Sequence, residues 1–135
     1  MRGVAFLARK AGAALVVLPA LIAGAVMAQN RQPISTSLAE CAVIHEELVS
    51  VARRRGKPEG EVEKLVDDAV LFRTAAWSEA RREGRHDPKA HVAAQGTRLG
   101  EKWQGQFGNI FRLRKNKDWI DYCHALGKSR GVLNR

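Results

Sequence analysis

The chain has little of what most enzymes and cofactor proteins are built from. Its 135 residues include two cysteines and eight aromatic residues: three Trp, one Tyr and four Phe. No Gly-x-Ser-x-Gly, His-Glu-x-x-His or phosphate-binding glycine loop occurs, so the motif-bearing hydrolases, zinc proteases and nucleotide hydrolases have no foothold. Covalent haem needs Cys-x-x-Cys-His, and Cys123-His124 has Ile120 where the first thiol should stand. Gly105-Gln-Phe-Gly108 is too short and isolated to cradle a phosphate. After residue 28 no apolar run approaches the ~18 residues needed to span a bilayer. The sequence contains neither an internal repeat nor a low-complexity block.

What is present begins at the amino end. Arg2, Arg9 and Lys10 precede an apolar run from Ala11 to Met27, interrupted by Pro19 and Gly24. Val26-Met27-Ala28 then supplies small residues at the spacing a signal peptidase reads, so residues 1–28 are expected to be a signal peptide cleaved after Ala28. No cysteine follows the run and no twin-arginine pair precedes it, which favours the general secretion route without lipid attachment. The expected location is periplasmic or secreted, where disulfides persist. Cleavage would leave 107 residues and lower the formal charge from +9 to +6. That length suits one domain with a modest core.

The rest of the pattern is helical. Residues 29–37 read as a flexible lead-in with Pro33, and Ser37-Leu38-Ala39-Glu40 reads as a capping box. Apolar residues at spacings of three and four from Leu38 to Ala52 predict a first helix over about 38–55, ended by Gly56. Pro58 opens a second helix that carries Val62, Leu65, Val66, Ala69, Phe72, Ala76, Trp77 and Ala80 and ends at Gly84. Asp87-Pro88 is a further start signal. The third apolar face (Val92, Leu99, Trp103, Phe107, Ile110, Phe111) is interrupted by Gly96, Gly100, Gly105 and Gly108. These glycines either admit a close neighbour or break the helix; a kink or change of direction near Gly105–Gly108 is the favoured reading. Phe111 to Arg114 alternates like a strand but has no partner strand. A last short helix starts at 116–118 and ends at Gly127, and residues 128–135 form a basic tail. The fold class expected is all-α: a small three- to four-helix bundle over 38–127, preceded by the signal peptide and stapled by one disulfide. Cys41 and Cys123 are the pair, which requires the last helix to return to the amino end of the first.

Candidate sites are few. Cys41 and His45 share a helical face, and Cys123 and His124 could add two ligands. Adjacent helical residues diverge by about 100°, however, and oxidation competes for the thiols, so neither metal nor cofactor is expected. The carboxylate pairs Glu46-Glu47 and Asp67-Asp68 point apart on a helix and make poor acid–base partners. No catalytic residue is assigned. The basic residues are more suggestive. Arg112, Arg114, Lys115 and Lys117 follow Phe107 and Phe111, and Arg53, Arg54 and Arg55 form a second cluster. Such groups suit an acidic envelope protein or an anionic envelope surface, whereas export argues against nucleic acid. Trp103, Phe107 and Phe111, spaced by four, serve either as core or as a hydrophobic contact surface. The leading expectation is thus an exported, non-enzymatic interaction protein of the cell envelope. A small holdase-like chaperone and a cryptic enzyme or metal-binding protein are the alternatives.

The cysteine spacing makes one prediction. A bond from Cys41 to Cys123 closes 82 positions of chain, so its reduction should lower the unfolding free energy by about 4 kcal/mol. Urea denaturation with and without reductant measures this, and equal midpoints would contradict it.

Overall fold

The computed structural model describes residues 32–134. The proposed signal peptide and its cleavage site lie outside the described residues. Five helices follow one another: α1 (Ile34–Arg54), α2 (Glu59–Arg82), α3 (Pro88–Trp103), α4 (Ile110–Lys115) and α5 (Lys117–Ser129). The described residues contain no strand, and the segment that alternates like one, Phe111 to Arg114, lies inside α4.

The central element is α1. Every residue from Ser35 to His45 is buried, so its first three turns have neighbours on all sides. Such burial exceeds what a one-faced amphipathic pattern requires. It also includes five polar side chains: Ser35, Thr36, Ser37, Glu40 and His45. α2 packs along α1, α3 packs on both, and α5 closes on α1. The main core joins Leu38, Ile44, Phe72, Ala76, Leu99, Trp103 and Phe107. A smaller cluster of Val49, Ala52 and Val62 lies under the α1–α2 turn.

Helix ends follow the sequence signals where those are strong. Asp87 caps α3 by accepting from the Ala90 amide at 2.9 Å, with Pro88 at the first helical position. Pro58 precedes α2, whose first turn carries Glu59 and Glu61, the favourable sign for a helix amino end. After α1, the Lys57 amide bonds back to the Ala52 carbonyl; after α2, the Arg85 amide bonds to Ala80. These bonds close both carboxyl ends.

The start of α1 corrects the sequence reading. Helix begins at Ile34, so residues 34–37, expected in the lead-in, are helical, and Ser37 is not the cap. Pro33 occupies that position and contributes no side-chain cap. Glu83, at the far end of α2, takes over. Its carboxylate accepts from the Ser35 amide (2.9 Å) and the Ser35 hydroxyl (2.6 Å). A carboxylate at a helix amino end satisfies free amides and complements the dipole. The same contact shows that α2 runs antiparallel to α1. Burial pushes the Glu83 carboxyl up, but the Ser35 bonds and nearby Arg85 and His91 outweigh it, so its pKa lies below the ordinary value of 4.5.

The glycine-rich stretch also resolves. α3 runs straight through Gly96 and Gly100, where a methyl group would meet nothing within 4 Å, so neither glycine serves a close approach. The chain breaks at Gly105, whose φ of +69° a helix cannot contain. A turn follows, and helix resumes only at Ile110. The interruption expected near Gly105–Gly108 is therefore there, as a break between two helices rather than a kink within one.

Close approach occurs instead in α5, at Gly127. A Cβ there would lie 2.7 Å from Leu133 and 2.9 Å from Phe72. The cause is a return of the chain: the Val132 and Leu133 amides both bond to the Gly127 carbonyl, and Leu133 is buried. Residues read from sequence as a basic tail thus fold back onto the bundle at Val132 and Leu133. α5 continues to Ser129, and Arg130 reaches Glu79 at 3.7 Å.

Cys41 and Cys123 stand at disulfide distance, with sulfurs 2.09 Å and Cα atoms 5.4 Å apart. The last helix does return to the amino half of the first. No helix among the described residues is long and apolar enough to cross a membrane.

The glycine environments predict opposite responses to the same change. Gly100→Ala should stabilise by about 0.5–1 kcal/mol, because a helix interior gains propensity and nothing clashes. Gly127→Ala should destabilise by about 1–3 kcal/mol, because Phe72 is fully buried and cannot yield. Urea midpoints of the two variants report this, and a shift of the same sign in both would contradict it.

Candidate functional site

Four of the five polar side chains buried along α1, those of Ser35, Ser37, Glu40 and His45, are engaged internally. Glu40 is 1% exposed. One carboxylate oxygen accepts from Lys102 Nζ (2.6 Å) and Trp103 Nε1 (2.8 Å), and the other from Gln32 Nε2 (2.8 Å). Lys102 also lies 4.9 Å from the Trp103 ring centroid and 4.7 Å from that of Trp119. Its charge is therefore shared between a carboxylate and two aromatic faces. A buried carboxylate needs such compensation. Glu40, read from sequence as half of a capping box, instead fixes the end of α3 to α1.

His45 is buried against Phe72, with ring centroids 5.1 Å apart. Its Nδ1 lies 2.8 Å from the Cys41 carbonyl. Burial pushes the imidazole pKa below 6.5; the Cys41 carbonyl and Asp68 oppose the shift, and His124 adds to it. With both sulfurs in one pair, Cys41, His45, Cys123 and His124 have no thiolates to offer a metal. Among the described residues no group of three or more His, Cys, Asp and Glu side chains converges on a common point. The adjacent carboxylates also diverge: Glu46 pairs with Arg73, while Glu47 accepts from the Gly105 amide at 3.3 Å. A groove of about 530 Å³ runs past the Glu46–Arg73 pair, Trp77, Lys89 and Gly96. Lys89 sits 5.2 Å from the Trp77 ring centroid.

The aromatic stripe is divided by the break at Gly105. Trp103 (3% exposed) and Phe107 (fully buried) stack with centroids 5.5 Å apart inside the core. Phe111, the second residue of the next helix, is 78% exposed, and its neighbour Ile110 is 49% exposed. Sequence spacing alone could not separate these positions, because the periodicity continues through the turn.

The basic cluster that follows is brought to the surface. α4 starts with Asn109 capping the Arg112 amide at 2.9 Å. None of its six residues is buried, and Leu113 alone packs against the core, partly covered. Arg112 donates to the Gly105 carbonyl at 2.8 Å, which ties α4 to the turn before it. The Asn116 amide group donates to the Gln106 carbonyl at 2.9 Å and ties down its far end. Lys117 pairs with Asp121 one turn along α5. Among the described residues, no hydrogen bond or ion pair engages the side chains of Arg114 and Lys115. The four cations named from sequence thus separate into one that braces the segment (Arg112), one paired at the surface within its own helix (Lys117), and two without such partners (Arg114 and Lys115).

The second cluster, Arg53, Arg54 and Arg55, is exposed at the end of α1. There the cations complement the helix dipole, and no exposed large apolar residue adjoins them in sequence. A different apolar strip, Val66, Val70 and Leu71, is exposed on α2. Val66, part of the apolar pattern that predicts the second helix, therefore lies at the exposed edge of that stripe. No protein-family model matches the chain, and neither a curated protein nor a solved structure matches it.

The environment of His45 predicts a pH response. A histidine whose folded pKa is lowered stabilises the fold fully above 6.5 and loses that contribution as pH falls through the folded value. The urea midpoint should therefore drop between about pH 7.5 and about pH 5.5. His45→Gln should flatten that slope, and an unchanged slope in the variant would assign the titration elsewhere.

Proposed function

We propose that the chain is an exported, non-enzymatic interaction protein of the cell envelope, placed in the periplasm or secreted. It binds an acidic partner protein or an anionic surface through residues 110–117. The observation that carries this reading is the pairing of Phe111, the most exposed large apolar side chain among the described residues, with Arg114 and Lys115, whose charges meet no ion pair there. Cations left without counter-ions beside exposed apolar atoms favour an anionic binding partner. The amino-terminal sequence pattern and the Cys41–Cys123 pair support an oxidising location.

Arg112 and Asn116 hold the segment in place, so it meets its partner preformed. That limits the ordering entropy lost on binding. Arg53, Arg54 and Arg55 act as a secondary contribution to the field, without an apolar contact of their own.

Binding of the oxidised protein to purified envelope should fall steeply between low and high salt, because surface charges are screened within about 10 Å at 0.1 M ionic strength. Co-sedimentation at two salt concentrations measures this. A complex indifferent to salt would contradict a charge-driven surface.

A further inference from the structure

We infer that the anionic partner is a phospholipid bilayer, entered by Ile110 and Phe111 and held at its headgroups by Arg114 and Lys115. This rests on the reading of residues 110–117 as the binding segment. Helical spacing aligns the four residues. Arg114 follows Ile110 by four positions and Phe111 by three, and Lys115 follows Phe111 by four, so both cations stand one turn behind the apolar pair on the same side. That is the arrangement of an interfacial element: apolar side chains reach the acyl boundary while long basic side chains remain among the phosphates.

The surroundings favour a bilayer over an acidic protein. A stable protein interface buries about 800 Å² on each partner and centres on anchors that fill pockets. α4 has only six residues, and Gln104, Gly108, Asn109 and Asn116 flank its apolar pair in sequence. No residue of 104–117 lines the groove past Glu46 and Trp77 or the one past Leu71 and Arg82. An apolar pair on a segment without a buried residue offers a protein partner little shape to complement. A bilayer needs no such complement, since lipid rearranges around an inserted side chain. The net positive charge of the chain adds long-range attraction to anionic headgroups.

The test compares oxidised chains beginning at Gln29, the form left by the expected cleavage, because the basic, apolar residues 1–28 would bind anionic vesicles by themselves. Wild type, Ile110→Ser/Phe111→Ser, Arg114→Gln/Lys115→Gln and Arg53→Gln/Arg54→Gln/Arg55→Gln are mixed with phosphatidylglycerol–phosphatidylcholine vesicles, with phosphatidylcholine vesicles, and with polyglutamate as an acidic protein mimic. Thermal midpoints confirm that each variant folds, as expected for exposed side chains. Arg114→Gln/Lys115→Gln should weaken binding to the anionic vesicles by about twentyfold at low salt. Ile110→Ser/Phe111→Ser should weaken it at both low and high salt, by at least about tenfold. The triple arginine variant should lose less than either. If polyglutamate binds and anionic vesicles do not, the bilayer is ruled out while a charge-driven acidic partner stands. If vesicles bind but both 110–115 variants match wild type, the segment is wrong and both readings fall. If neither probe binds, the charge-driven function itself is overturned.

Discussion

The structure depends on burying the first three turns of α1 completely. A helix with neighbours on every side has no solvent to receive its polar groups, so each must find a partner within the fold. Ser35 takes Glu83 from the end of α2. Ser37 accepts from Gln32 at 3.2 Å, Glu40 gathers Gln32, Lys102 and Trp103, and His45 uses the Cys41 carbonyl. These partners come from different elements, so satisfying α1 also fixes α2 and the end of α3. The cysteine pair adds α5 to the same helix. The burial of one helix and the placement of the other long elements are a single constraint.

That constraint explains which parts of the fold were legible in the sequence. α2 and the start of α3 were legible because their signals are local: proline at the first turn, acidic residues near the amino end, an Asp-Pro cap and one apolar stripe. The cysteine pairing was legible because there are only two thiols. The start of α1 was not. Ser37 and Glu40 carry the spacing of a capping box, but both are more useful inside the bundle, where Glu40 can accept from Lys102 and Trp103. The true cap lies 48 residues away in Glu83, and no local pattern reports a contact of that separation. Gly127 shows the same limit. Its lack of a side chain matters because Leu133 and Phe72 press against it, and only the folded-back chain end reveals that.

The candidate site was legible as composition and illegible as geometry. The cluster of Arg112, Arg114, Lys115 and Lys117 stands out in the sequence, yet its members divide into a brace on Gly105, a cation paired with Asp121 along α5 and two open cations only once the fold is in place. Likewise Trp103, Phe107 and Phe111 look alike at four-residue spacing. The helix break assigns the first two to the core and leaves Phe111 outside. A segment whose polar ends are secured and whose apolar tip is exposed is stable without being buried. This is how a small bundle can keep a contact surface separate from the interactions that hold it together.

Hydrogen exchange of the oxidised protein, alone and with anionic vesicles, tests this separation most directly. The account predicts that amides of residues 38–52 exchange only through global unfolding and that residues 104–117 open far more readily. Vesicles should then slow exchange in 104–117 and leave α1 unchanged. Protection appearing instead at 53–57 or 66–71, or an α1 that opens as easily as α4, would contradict it.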